Sequence, residues 1–167
     1  MDPKISRDEA IALISETSHY NHSLRVGRMM LNIADFYNEN RNEWELVGFL
    51  HDMDYDETLA NRQLHGIIAG EILQEKLSKE AIEAIKTHDY RTHLEPKTIL
   101  SKILISVDAL DNLIEVLERT NEKITSELII NQLENWVCEK PWLKDLIKQV
   151  EECNITLIEF INICLKK

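Results

Sequence analysis

Apolar residues recur at intervals of three and four along most of the chain, the spacing of helices that bury one face. The clearest run is Ile99, Leu100, Ile103, Leu104, Val107 and Leu110. It predicts a long helix to about Leu117, with Pro96 placed to open it. Ser6-Arg7-Asp8-Glu9 has the form of a capping box and predicts a first helix through about Ser15. A second helix is expected from about Asn21 to Tyr37 and a third from about Glu43 to His51. Residues 53–63 are acidic, polar and without period, and read as a loop. Beyond it, Ile67, Ile68, Ile72 and Leu73 predict a helix starting near Leu64, and Ser78 caps a short one carrying Ala81, Ile82, Ala84 and Ile85. After a polar stretch over 118–126, three further helices are expected, at about 126–138, 141–152 and 154–165, with Pro141 at the start of the second. No stretch alternates as a strand does, so the expected fold class is all-α, a compact helical bundle forming a single domain over residues 1–167.

Composition narrows the function classes. The chain has 167 residues, of which 44% are hydrophobic, enough for one domain with a real core. Four glycines and three prolines argue against a turn-rich β architecture. The formal net charge of −11 argues against a nucleic-acid groove, which needs clustered Lys and Arg. No segment reaches the ~18–20 consecutive apolar residues of a membrane helix, and the N-terminus lacks the apolar core of a signal peptide. Cys138, Cys153 and Cys164 have no metal-ligand spacing, and their odd number suits free thiols in a reducing cytoplasm. The expected setting is cytoplasmic, with no membrane and no nucleic-acid partner. Trp136 and Trp142 are read as buried.

The candidate chemistry starts at His51-Asp52. The pair ends the apolar run Leu46–Leu50 and leads into an acidic turn, Met53-Asp54-Tyr55-Asp56. Imidazole nitrogen and carboxylate oxygen are ligands for Zn, Mn and Fe ions. His22, His51, Asp52 and Asp108 would supply four such ligands from three helices. Successive helix residues point about 100° apart, so His51 and Asp52 share an ion only near a helix end, which the acidic turn provides. Asp108 sits in the apolar stretch 103–110, where an unpaired carboxylate is costly. A cation would make it tolerable; so would a salt bridge to Lys102. Taken singly, each of these residues has an ordinary structural explanation, and the ordered set carries the argument. Arg25, one turn after His22, is the candidate for binding substrate phosphate, with Lys86 and Arg91 as second candidates.

These residues resemble the HD superfamily of metal-dependent phosphohydrolases. The resemblance rests on His22-Ser23-Leu24-Arg25-Val26, Gly48-Phe49-Leu50-His51-Asp52, His65-Gly66 with Ala69-Gly70, Ala84-Ile85-Lys86-Thr87-His88 and Ser106-Val107-Asp108. It covers about residues 18–117 and implies a helical bundle of the HD type with the metal site in its middle, the helices of 126–165 packing on that core. It implies a divalent metal cofactor, one or two ions (Fe, Mn, Zn, Co, Ni or Mg). His65 and His88 match places where two-ion members carry additional ligands; binding of substrate phosphate or a capping role stays open for them. Many members carry Lys or Glu three positions after the Asp of the pair, where this chain has Tyr55. Asp54 and Asp56 flank that position, and Asp54 joins Asp52 as an expected catalytic residue. The expected activity is hydrolysis of a nucleotide or other small phosphate ester or anhydride by a metal-activated water. A non-catalytic metal- or ligand-binding regulatory module of the same fold is the alternative, and a di-iron oxygenase the remote third. The expected partner is a small phosphorylated substrate, with a homodimer left open.

Overall fold

The computed structural model describes residues 2–120, 122–135 and 142–166. Its elements are the helices α1 (Arg7–Ile14), α2 (Tyr20–Tyr37), α3 (Arg41–Leu50), α4 (Ile67–Leu73), α5 (Lys79–Thr87), α6 (Ile99–Glu118), α7 (Ser126–Glu134), α8 (Trp142–Lys148) and α9 (Leu157–Cys164). Short 3-10 turns cover Arg62–Leu64, Tyr90–Thr92 and Gln149–Cys153. Among the described residues there is no strand, and the fold is all-helical as the spacing predicts. No described helix is long and apolar enough to cross a membrane.

Side-chain caps set most of the boundaries. Ser6 and Glu9 form the predicted capping box of α1. Asn40 caps α3 through the Glu43 amide, which starts that helix two residues earlier than its periodicity predicts. Thr98 and Ser101 form a capping box that starts α6 at Ile99, so Pro96 precedes the helix instead of opening it. The helix expected from Leu64 begins only at Ile67: Arg62–Leu64 forms a 3-10 turn and Gly66 takes a positive φ of 78° as the N-cap. At the C-terminal end, the expected 126–138 helix runs to Glu134, and Trp136, Cys138 and Pro141 lie outside the described residues. Trp142, read as buried, is 48% exposed.

The apolar face of α6 is the axis of the packing. Ile103, Leu104, Val107 and Leu110 are fully buried and meet α2, α5 and α8. The same hydrophobic cluster takes in Leu143 and Ile147 of α8 and Phe160 and Ile161 of α9. Tyr37, at the end of α2, donates its hydroxyl to the Cys153 carbonyl at 2.7 Å, and burial pushes its pKa up to about 12. Cys153 and Cys164 are free and buried.

The most extensive helix pair is α2 on α3, and it depends on two glycines. A Cβ built on Gly48 would lie 2.6 Å from the Gly27 Cα and 2.7 Å from its nitrogen. Backbone cannot yield as a flexible side chain can, so position 48 must stay bare for the helices to touch, while a Cβ on Gly27 would lie 2.3 Å from the Phe49 ring. This approach carries His22 on α2 to the end of α3, where His51 stands. Gly48→Ala is therefore expected to lower stability by about 1–3 kcal/mol through overpacking. Urea denaturation of the purified variant checks this, and a change within ~0.5 kcal/mol would contradict the close-approach account.

Candidate metal centre

Three structural units deliver the expected ligands to one place. α2 brings His22; the C-terminal end of α3 brings His51 and Asp52; and α6 brings Asp108. His65, just before α4, and His88, capping the end of α5, come in from a fourth side. All six side chains of the sequence-derived set therefore meet. Asp52 is at the centre, 4% exposed. Its Oδ1 lies 3.0 Å from His65 Nε2, 3.3 Å from His88 Nε2 and 3.5 Å from His51 Nε2. Its Oδ2 lies 2.5 Å from His19 Nδ1 and 3.6 Å from His22 Nε2. Ligand atoms of three overlapping sets fall within 4.8 Å of one another: His19, His22 and Asp52; His22, His51 and Asp108; His51, Asp52 and His88.

Each of four imidazoles is fixed from behind through Nδ1. His51 donates to the Gly48 carbonyl at 2.8 Å, and His88 to the Ile85 carbonyl at 2.7 Å. His65 donates to Asp54 Oδ1 at 2.8 Å, and His22 to Asp111 Oδ2 at 2.7 Å. Because a carbonyl or carboxylate oxygen only accepts, Nδ1 carries the proton in all four. In the neutral rings the Nε2 lone pairs are then turned toward Asp52 and Asp108. Nε2 of both His22 and His51 is buried and makes no hydrogen bond. Lone pairs that face carboxylates, and in the case of His65 and His88 face each other at 3.3 Å, need positive charge between them. The donor set of neutral imidazoles and carboxylates suits a divalent first-row cation, and the backing hydrogen bonds are those that orient metal-binding histidines.

The electrostatics agree. Burial pushes His51 down to about 4, which keeps it neutral and its lone pair free. For His65 burial acts downward as well, but Asp52 and Asp54 overcome it and hold the ring at about 9. His22 is likewise raised well above its ordinary value against burial, by Asp108 and Asp111. Asp52 is held well below the usual carboxylate range despite burial, by His51 and its hydrogen-bonded imidazoles. A buried cluster that favours positive charge this strongly is suited to a cation.

Two assignments from the sequence are corrected by geometry. Asp54, expected as a catalytic acid–base group, stands behind His65 and away from the cavity. Its carboxylate accepts from the Gly66 amide at 2.8 Å and the Ala69 amide at 2.9 Å, besides His65, and so pins the start of α4. Arg25, expected to reach substrate phosphate, is turned to Asp111, with two contacts of 2.8 Å, and to Glu115. It does not line the cavity over Asp52. Asp56 accepts from the Ser18 amide and hydroxyl, tying the acidic turn to the start of α2. Lys86 lays its aliphatic chain over Gly70, and Arg91 is held by Asp89. Lys102 pairs with Glu152, so it is no partner for Asp108.

Three residues escaped the sequence reading. His19 lies one helical turn before His22, and that spacing was the available signal. Asp111 lies one turn after Asp108, fully buried in the same apolar stretch, and the same burial argument would have found it. Asn112 donates to Asp108 Oδ1 at 2.9 Å; a lone asparagine on a helix gives no signal.

The fold and the centre define a helical protein whose histidine–aspartate cluster can hold a divalent metal. Residues 19–113 match the family model of the HD domain, more than half of the chain, and the chain belongs to that family. No curated protein and no solved structure matches it.

The role given to Asp111 is open to measurement. Asp111→Asn retains the shape but weakens the hold on the His22 Nδ1–H, and metal affinity is expected to fall by roughly 10–100-fold. Competition with a chelating dye reads this, with circular dichroism as the check on folding. An unchanged affinity in a folded variant would remove Asp111 from the centre.

Proposed function

We propose that the chain is a metal-dependent phosphohydrolase acting on a nucleotide or other small phosphate ester. The observation that carries the proposal is the set of four buried imidazoles, each fixed through Nδ1 and each presenting Nε2 to one carboxylate. Membership of the HD domain family, most of whose members are metal-dependent phosphohydrolases, supports it. His22, His51, Asp52 and Asp108 would hold one ion; His65 and His88, with Asp52 shared, would hold a second. Bound there, divalent cations supply Lewis acidity toward a phosphoryl oxygen and toward water.

The chain's own residues do the rest. Asp111, itself clamped by Arg25, keeps His22 in the tautomer a ligand needs. Asp54 does the same for His65 while anchoring α4. His19 hydrogen-bonds Asp52 from the cavity side, and its ring stacks on Tyr55 at 3.4 Å. Asp52 is almost withdrawn from bulk water, so its charge acts at low dielectric.

One observation favours a second reading, a binding module without turnover. Among the described residues Arg91 is the single Lys or Arg lining the cavity, and it is already paired with Asp89. Asp52→Ala separates the two. The metal-reconstituted wild type is expected to hydrolyse a generic phosphomonoester, and the variant to lose at least ~100-fold in kcat/KM together with its metal. Metal retention by the wild type with no hydrolysis of any phosphate ester would favour the binding module.

A further inference from the structure

The cavity over Asp52 has a volume of about 180 Å³. That is below the ~300 Å³ at which cavities begin to enclose a ligand of ordinary size. A second cavity, of about 340 Å³, adjoins it and shares His88, Tyr90 and Leu146 as wall residues. At this junction the surface is aromatic and apolar. Tyr90 is 65% exposed and Trp142 is 48% exposed, and both line the first cavity, with Leu143 and Leu146 beside them. Single exposed apolar residues are common on any protein. Two exposed rings at the mouth of one polar centre form a surface for stacking, with the Arg91 guanidinium 5.8 Å from the Tyr90 centroid. Among the described residues neither ring stacks on another.

Charge points the same way. Asp52, Asp89 and Asp108 line the first cavity, and the one Lys or Arg among its described residues, Arg91, is neutralised by Asp89. Cations at the centre can take a phosphoryl group, and among the described residues no unpaired Lys or Arg lines the cavity to meet further phosphates. Resting on the phosphohydrolase reading for the phosphoryl end, we propose that the two cavities bind a nucleoside monophosphate. Its phosphate lies at the His/Asp centre and its base against Tyr90 and Trp142. Polyphosphates are disfavoured ligands.

Calorimetry on the manganese-loaded protein tests this with probes that resist hydrolysis. These are the phosphonate analogues of adenosine 5′-monophosphate and of glycerol 3-phosphate, and the β,γ-methylene analogue of adenosine triphosphate. The nucleoside phosphonate is expected to bind at least about tenfold tighter than the glycerol phosphonate, the equivalent of ~1.4 kcal/mol. Tyr90→Ala and Trp142→Ala should each remove most of that preference while leaving the glycerol analogue unchanged; Tyr90→Phe should keep it. Equal affinities, a preference that survives both alanine variants, tighter binding of the triphosphate analogue, or no binding of any probe would overturn the assignment. Failure of the phosphohydrolase reading is separable: absence of turnover with the binding preference intact would leave the nucleoside site standing.

Discussion

A carboxylate withdrawn from water sets the terms for this structure. Asp52 is almost fully buried, and an uncompensated charge there would cost several kcal/mol even after relaxation. The chain meets this with imidazoles: His19, His65 and His88 lie within 3.3 Å of its oxygens, and His22 and His51 stand slightly farther out. No single helix can present so many rings to one point. The convergence of α2, α3 and α6, with the residues flanking α4 and α5, is therefore the geometry that this buried charge requires. The bare Gly27–Gly48 contact belongs to the same requirement, since it lets α2 and α3 approach until His22 and His51 share a site.

A second ring of polar residues follows from the first. An imidazole aimed by Nε2 must have its Nδ1–H satisfied in the dry interior, or the gain at the centre is lost behind it. For His51 and His88 the chain uses the nearest carbonyl, three residues back at a helix end. His22 stands in the first turn of α2, and Asp111 of α6 serves it. Asp111 is then itself a buried charge, and Arg25 answers it, with Glu115 on the outside. The pairs His22/Arg25 on α2 and Asp108/Asp111 on α6 are each one turn apart, so two helices in contact match partners along their length. Arg25 is thereby turned away from the cavity over Asp52 and toward Asp111.

Much of this was legible in the residues. The helical period, the Ser6 box and the order His22, His51-Asp52, Asp108 gave the fold class and the middle of the centre, because burial of apolar faces and the cost of buried carboxylates act locally in sequence. What stayed hidden depends on contacts between segments far apart. Asp54 could be read as a loop acid, since nothing in 53–56 shows that the Gly66 and Ala69 amides will turn to it. Arg25 has the right spacing from His22 and the wrong neighbour, Asp111, 86 residues away. Pro96 is a sound helix opener by itself, but Thr98 and Ser101 offer the stronger local hydrogen bonds two residues later.

The departure at Tyr55 shows how a family position can change its means. Where many HD phosphohydrolases carry Lys or Glu, this chain places a ring that stacks on His19 at 3.4 Å and lies 3.9 Å beneath the Arg62 guanidinium. Arg62 also donates to the Tyr55 carbonyl, and Asp56 fastens the same turn to Ser18, the residue before His19. The acidic turn thus grips His19 on two sides and presses it against Asp52. The ring fixes a neighbouring imidazole, His19, against the central carboxylate. His19 stands at the cavity wall and touches the central carboxylate, which makes it the side chain through which the turn over the site communicates with the centre.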